Sequence, residues 1–106
     1  MPLLSLSKSA RDFVRDLNDV KRHRQVTNKL LALTAEAFPA DAEALQGKEF
    51  SGYYRVDSGE YRIIYGYAEE TDTVSVYVIG KRDGDEAYKE FKQKRKSVPS
   101  SADSST

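Results

Sequence analysis

The most strand-like part of this chain carries arginines that a sheet does not need for its own stability. Between Lys48 and Tyr88 the sequence reads KEFSGYYRVDSGEYRIIYGYAEETDTVSVYVIGKRDGDEAY. It sets Arg55 and Arg62 inside two alternating runs, Arg82 just after a third, and Tyr88 six residues beyond that arginine. A guanidinium presents planar donors that can bind two oxygens of an oxyanion at once, and a phenol can stack or hydrogen-bond beside it. Each residue alone has an ordinary explanation. Arg62 could pair with Asp57 or Glu60 across a hairpin, where an exposed ion pair adds little; Arg82 could be a surface cation and Tyr88 a helix residue resting on the sheet. Their joint spacing singles them out.

The elements that would position these groups follow from periodicity. Leu3 to Ser7 is a short strand, and Ser7 or Ser9 caps a helix with the apolar stripe Ala10, Phe13, Val14 and Leu17. A second stripe, Val26, Leu30, Leu33 and Ala37, marks a helix that ends before Pro39, with the polar region Asn18 to Arg24 between the two. Together they make a helical hairpin. After Asp41 the period becomes 2. Tyr54 and Val56 share one face opposite Tyr53, Arg55 and Asp57; Ser58-Gly59-Glu60 turns the chain; Tyr61, Ile63, Tyr65 and Tyr67 then share a face opposite Arg62 and Ile64. In the third run Val74, Val76 and Val78 fall together. The expected fold class is α+β: an N-terminal helical hairpin packed on an antiparallel sheet of about four strands, with a C-terminal helix, and with the face bearing Arg55 and Arg62 left open. Asp83, with Glu86 three residues on, is the expected N-cap of the last helix; the same DGDE segment lacks the ligand count of an EF-hand loop.

Composition limits the alternatives. A chain of 106 residues forms one domain, assigned to residues 1–96, with the Ser-rich residues 97–106 read as a disordered tail. Cysteine is absent, which excludes disulfides and thiolate chemistry and fits a reducing cytoplasm. The apolar stretch Leu3 to Leu6 is far short of the roughly 20 residues a membrane span needs, so no membrane association is expected. Formal net charge is zero, so affinity for nucleic acid has to come from local charge. Lys89, Lys92, Lys94, Arg95 and Lys96 bunch against Glu90, in a place where cations suit the end of a helix. His23, the single histidine, lies among surface charges and receives no role.

LQGKEFSGYYRVDSGEYRIIY followed by VYVIGKRDGDEAY resembles the RelE/ParE superfamily of bacterial toxins, across most of the chain. Members show a leucine and glycine before such a hairpin, then an apolar strand ending in glycine and arginine, then a helix-borne tyrosine. The hairpin is shared by the RelE-like ribonucleases and the ParE-like gyrase poisons. Gly80-Lys81-Arg82 with Tyr88 is similar to the ribonuclease branch.

The resemblance implies a metal-independent endoribonuclease without cofactor that enters the ribosomal decoding site and cuts mRNA, a 2′-hydroxyl attacking its own 3′ phosphodiester. It implies that Arg62 holds the phosphate, that Arg82 lies near the scissile phosphate and leaving group, and that Tyr88 packs on or orients the nucleotide. Ribonucleases of this family carry lysines on the strand before the turn, one of them a candidate general base; here those positions hold Tyr53 and Arg55. Arginine stays protonated, at a reference pKa of about 12.5, and tyrosine titrates near about 10, so Arg55 is assigned to phosphate stabilisation. Lys48, Tyr53 and Lys81 are the further RNA-contacting candidates. The implied partners are a cognate antitoxin, the ribosome and mRNA, with DNA reached only through the antitoxin complex. Inhibition of DNA gyrase, and a weakened toxin fold that mainly binds its antitoxin, stay open as alternatives.

Overall fold

The structure, a computed structural model, describes residues 2–83 and 86–97. In chain order its elements are β1 (Leu3–Leu6), α1 (Lys8–Asp16), α2 (Val20–Ala35), β2 (Glu43–Ala44), β3 (Tyr53–Ser58), β4 (Tyr61–Ala68), β5 (Thr73–Lys81) and α3 (Glu86–Ser97). Residues 98–106, most of the expected tail, lie outside the described residues, and Ser97 closes α3.

The helices start where short polar side chains can satisfy their first amides. The Ser7 hydroxyl accepts from the Ala10 amide and the Asp19 carboxylate from the Arg22 amide, as N-caps do. The polar stretch expected to separate the helices is thus mostly helix: α2 begins at Val20, and residues 17–19 make the connection. The buried stripe Val26, Leu30 and Leu33 agrees with the periodicity. The expected cap of α3 at Asp83 turns on residues 84 and 85, which lie outside the described residues.

The sheet has five strands in the order β1-β5-β4-β3-β2, one more than expected. β1 runs parallel to β5, from Leu3 opposite Thr73 to Leu6 opposite Val76, and the remaining pairings are antiparallel. Gly59, at φ +60°, is the first residue of the two-residue β3–β4 loop. That is the conformation a type II′ turn asks of glycine. The turn fixes the hairpin register, which puts Asp57 directly opposite Arg62.

A bulge changes how the third run divides between the two faces. Ile64 pairs with Val78 but Tyr65 with Val76, so Tyr77 is the extra residue. Val74 and Val76 join the cluster under α1 and α2 with Val26, Leu33, Ile63 and Tyr65, while Val78 turns to the other side with Ile64, Leu45, Ala87 and Phe91. The expectation of one shared face for Val74, Val76 and Val78 fails here because a single inserted residue reverses a period of 2. The face bearing Arg55 and Arg62 is likewise not open: α3 lies across it, with Phe91 stacked on Phe50 and edge-on to Tyr53. Ala87 of α3 packs over Gly80 of β5, where a Cβ on the glycine would meet that of Ala87 at an ordinary contact distance of 3.4 Å. On the first face, the buried Tyr65 hydroxyl donates to the Ala37 carbonyl at 2.7 Å, and burial pushes its pKa up to about 12.

Ser7 joins the bulge to the helix layer. Its hydroxyl donates to the Tyr77 carbonyl at 2.7 Å while accepting from Ala10, and its amide donates to the Val76 carbonyl. Ser7→Ala removes both a cap and the closest partner of a carbonyl at the bulge. We expect it to lower stability by about 1–2 kcal/mol, measured as a shifted urea midpoint with unchanged slope.

Candidate functional site

The β3–β4 hairpin, the end of β5 and the first turns of α3 bring three of the four expected catalytic residues into one cluster. Arg62 is the single charged residue on β4, with a side chain only 15% exposed. Its Nε donates to Asp57 Oδ1 at 2.9 Å, its Nη2 reaches Asp57 Oδ2 at 3.5 Å, and its Nη1 donates to the Tyr88 hydroxyl at 2.9 Å. The guanidinium carbon also lies 5.5 Å from the centre of the Tyr88 ring, within cation–π range. Arg82 is held by its amide, which donates to the Glu60 carbonyl, and its Nη1 stands 3.6 Å from Asp57 Oδ2. Two guanidiniums thus converge on one carboxylate, and Asp57 is the anion between them.

Charge at this point is tightly balanced. Burial pushes the Asp57 carboxyl up, but the Arg62 hydrogen bond and the charges of Arg62, Arg55 and Arg82 outweigh it and hold the group below the usual carboxylate range. The Asp57 hydrogen bond in turn raises Arg62. Arg55, the fourth expected residue, sits on the same face but is fastened to Glu43 across the β2–β3 pair. It lines a groove of about 350 Å³ with Glu43, Leu45, Gln46, Phe50 and Tyr88, so Tyr88 forms a wall between the groove and the arginine pair. No group of three or more histidine, cysteine or acidic side chains capable of holding a metal occurs among the described residues.

No protein-family model and no curated protein matches the sequence. Solved structures do. An arginine-to-alanine double mutant of Escherichia coli RelE, bound to a peptide of the antitoxin RelB, is 26% identical over 85% of this chain and 93% of its own, with a TM-score of 0.62. The toxin–antitoxin complex RelBE2 of Mycobacterium tuberculosis matches at 20% identity over 77% of this chain and all of that one, with a TM-score of 0.65. A YoeB/ParE toxin of Agrobacterium tumefaciens matches at 16% identity over 76% and 98%, again at 0.65. The chain has the RelE/ParE toxin fold.

On this RelE/ParE fold the remaining expected residues lie apart from the arginine pair. Tyr53 is half-buried, edge-on to Tyr77 and Phe91 at centroid distances of 5.6 and 4.9 Å. Lys48 is exposed on a 3-10 turn at Lys48–Phe50 and borders a separate shallow depression with Gly52 and Tyr54. Lys81 is exposed opposite Tyr61, whose ring meets Phe13 under α1, and so belongs to the other side of the sheet. Sequence reasoning misses Glu43 as a site residue, because its pairing with Arg55 depends on a two-residue strand that carries no periodic signal. No helix among the described residues is long and apolar enough to cross a membrane.

The depressed Asp57 pKa gives the ion pair a definite pH signature. Its contribution is fully present above the unfolded carboxyl value of about 3.9 and is lost as pH falls through the lower folded value. Asp57→Asn should therefore cost about 1–2 kcal/mol at pH 7. The gap between variant and wild type should close as pH drops below about 4, followed by urea denaturation at several pH values.

Proposed function

We propose that this chain is the toxin of a toxin–antitoxin pair and, within that class, a ribosome-dependent mRNA endonuclease. The observation that carries the reading is the convergence of Arg62 and Arg82 on a single anion position beside the Tyr88 hydroxyl. Such a cradle suits a phosphodiester that gains charge during reaction. In the proposed chemistry the 2′-oxygen forms a bond to phosphorus as its proton passes to water, the bond from phosphorus to the 5′-oxygen breaks, and that oxygen takes up a proton from water. The products are a 2′,3′-cyclic phosphate and a 5′-hydroxyl. Arg62 and Arg82 neutralise the non-bridging oxygens. Tyr88 supplies a ring for a splayed base and a hydroxyl at the phosphate, and Arg55 adds positive charge from the neighbouring groove.

The proposed partners rest on the same fold. RelE and RelBE2 were solved with antitoxin present, and we infer an antitoxin for this chain too, carrying carboxylates for the arginine cluster. DNA would be met only through that complex, and the site of action would be the bacterial cytoplasm.

Primer extension on a defined mRNA, with and without programmed ribosomes, tests the reading. Wild type should cut only with ribosomes present, and Arg62→Ala and Arg82→Ala should each lower the rate by about 100-fold or more. Intact mRNA under every condition would reject nuclease activity; inhibition of gyrase supercoiling by the same preparation would then assign the ParE-like function, and antitoxin binding alone a weakened toxin.

A further inference from the structure

The arginine pair is already occupied. Every nitrogen of the Arg62 guanidinium has a partner: Nε and Nη2 face the two oxygens of Asp57, and Nη1 faces the Tyr88 hydroxyl. Asp57 Oδ2 also faces Arg82. An incoming oxyanion therefore meets a carboxylate in the place between the two arginines where its own oxygens would lie. The occupation is built into the hairpin, because the Gly59 turn sets Asp57 opposite Arg62 in register. An intramolecular carboxylate competes at a high effective concentration and needs no diffusion to return. Its negative charge also cancels one of the two positive charges that would attract a phosphate, in a chain whose formal net charge is zero.

We propose that Asp57 is an internal counter-anion that holds the Arg62–Arg82 cradle closed and sets its affinity for phosphodiesters. The inference rests on the reading of Arg62 and Arg82 as a phosphate site. Engaging a substrate means swinging Asp57 out of the fork, so the carboxylate weakens binding while keeping Arg62 ordered. Asparagine at this position has the same shape and can still accept from Arg62 Nε, but it carries no charge. Loss of the charge should then strengthen phosphate binding, whereas an Asp57 that only orients Arg62 would leave binding unchanged or weaker once replaced.

The test uses the full chain and a 2′-deoxy trinucleotide, which lacks the attacking hydroxyl and cannot be cut by this route. Titrations monitor the Arg62 Nε–H resonance in wild type, Asp57→Asn, Asp57→Ser and Asp57→Glu. Both neutral variants should bind roughly tenfold tighter than wild type, since a unit charge within hydrogen-bond range is removed. Asp57→Glu, which keeps the charge, should bind as weakly as wild type. Unchanged or weaker binding by the two neutral variants, judged on samples whose amide spectra show the native fold, would overturn the proposal, as would no detectable binding by any form. Because the probe needs neither ribosome nor cleavage, the proposal and the nuclease reading can fail separately. A tighter neutral variant that leaves mRNA intact on ribosomes keeps the counter-anion and rejects the nuclease.

Discussion

The constraint on which the rest of the structure depends is that β4 is covered on both faces. Tyr61, Ile63 and Tyr65 are buried beneath α1 and α2, and Ile64 is buried on the other side beneath α3. A central strand of this kind needs two apolar layers. The chain supplies the first from its N-terminal helices and the second from a single amphipathic helix after β5. The covering of the second face is incomplete at one end, and Arg62 stands there. Its side chain is only 15% exposed, and Asp57 and Tyr88 hold its guanidinium. The location of the site is thus a property of the packing: it is where the second layer runs out.

That location explains why the charges are so closely matched. A guanidinium largely withdrawn from water is costly unless paired and hydrogen-bonded. Asp57 and Tyr88 supply those partners from opposite sides, one from the neighbouring strand and one from the covering helix. Arg55, nearer the edge, solves the same problem with Glu43. Across Arg55, Arg62, Arg82, Asp57 and Glu43 one net positive charge remains. Order and attraction for anions therefore oppose each other here: each carboxylate that fixes an arginine also diminishes the field that arginine projects.

The parts of the fold legible in the sequence were those written in local periodicity. The stripes of α1 and α2, the β3–β4 hairpin and its glycine turn depend on residues a few positions apart, and the structure places them as that spacing dictates except for Leu17 and Ala37, which follow the ends of their helices. What was hidden depends on partners far away in the chain. The bulge at Tyr77 leaves no mark in the run TVSVYVIG, because an inserted residue becomes visible only against β4, and it sent Val78 to the face opposite the one its spacing implies. The parallel pairing of β1 with β5 and the two-residue β2 are invisible for the same reason. In the site, Arg62, Arg82 and Tyr88 could be named from their spacing and family resemblance, and Asp57 was visible as a neighbour of the arginines. Its position between two of them requires β5 to pair with β4 as far as the β3–β4 turn, where the Arg82 amide meets the Glu60 carbonyl, and no local spacing encodes that. Tyr53 illustrates the converse: alternation puts it on the arginine face, but α3 covers that stretch and draws its ring into an aromatic cluster.

The parallel strand at the edge of the sheet also governs the order in which the molecule can come together. Leu3 pairs with Thr73, about 70 residues later, and everything that completes the arginine cluster, from Arg82 to Tyr88, lies beyond that. A contact of such long range must close a large loop before it returns any energy, which makes it slow and late. During synthesis the first strand and both N-terminal helices emerge long before their sheet exists. The residues that lay Tyr88 against Arg62 are made only after all five strands. The cluster is therefore completed only once α3 follows the finished sheet, and a chain interrupted before α3 would carry arginines without the arrangement that organises them.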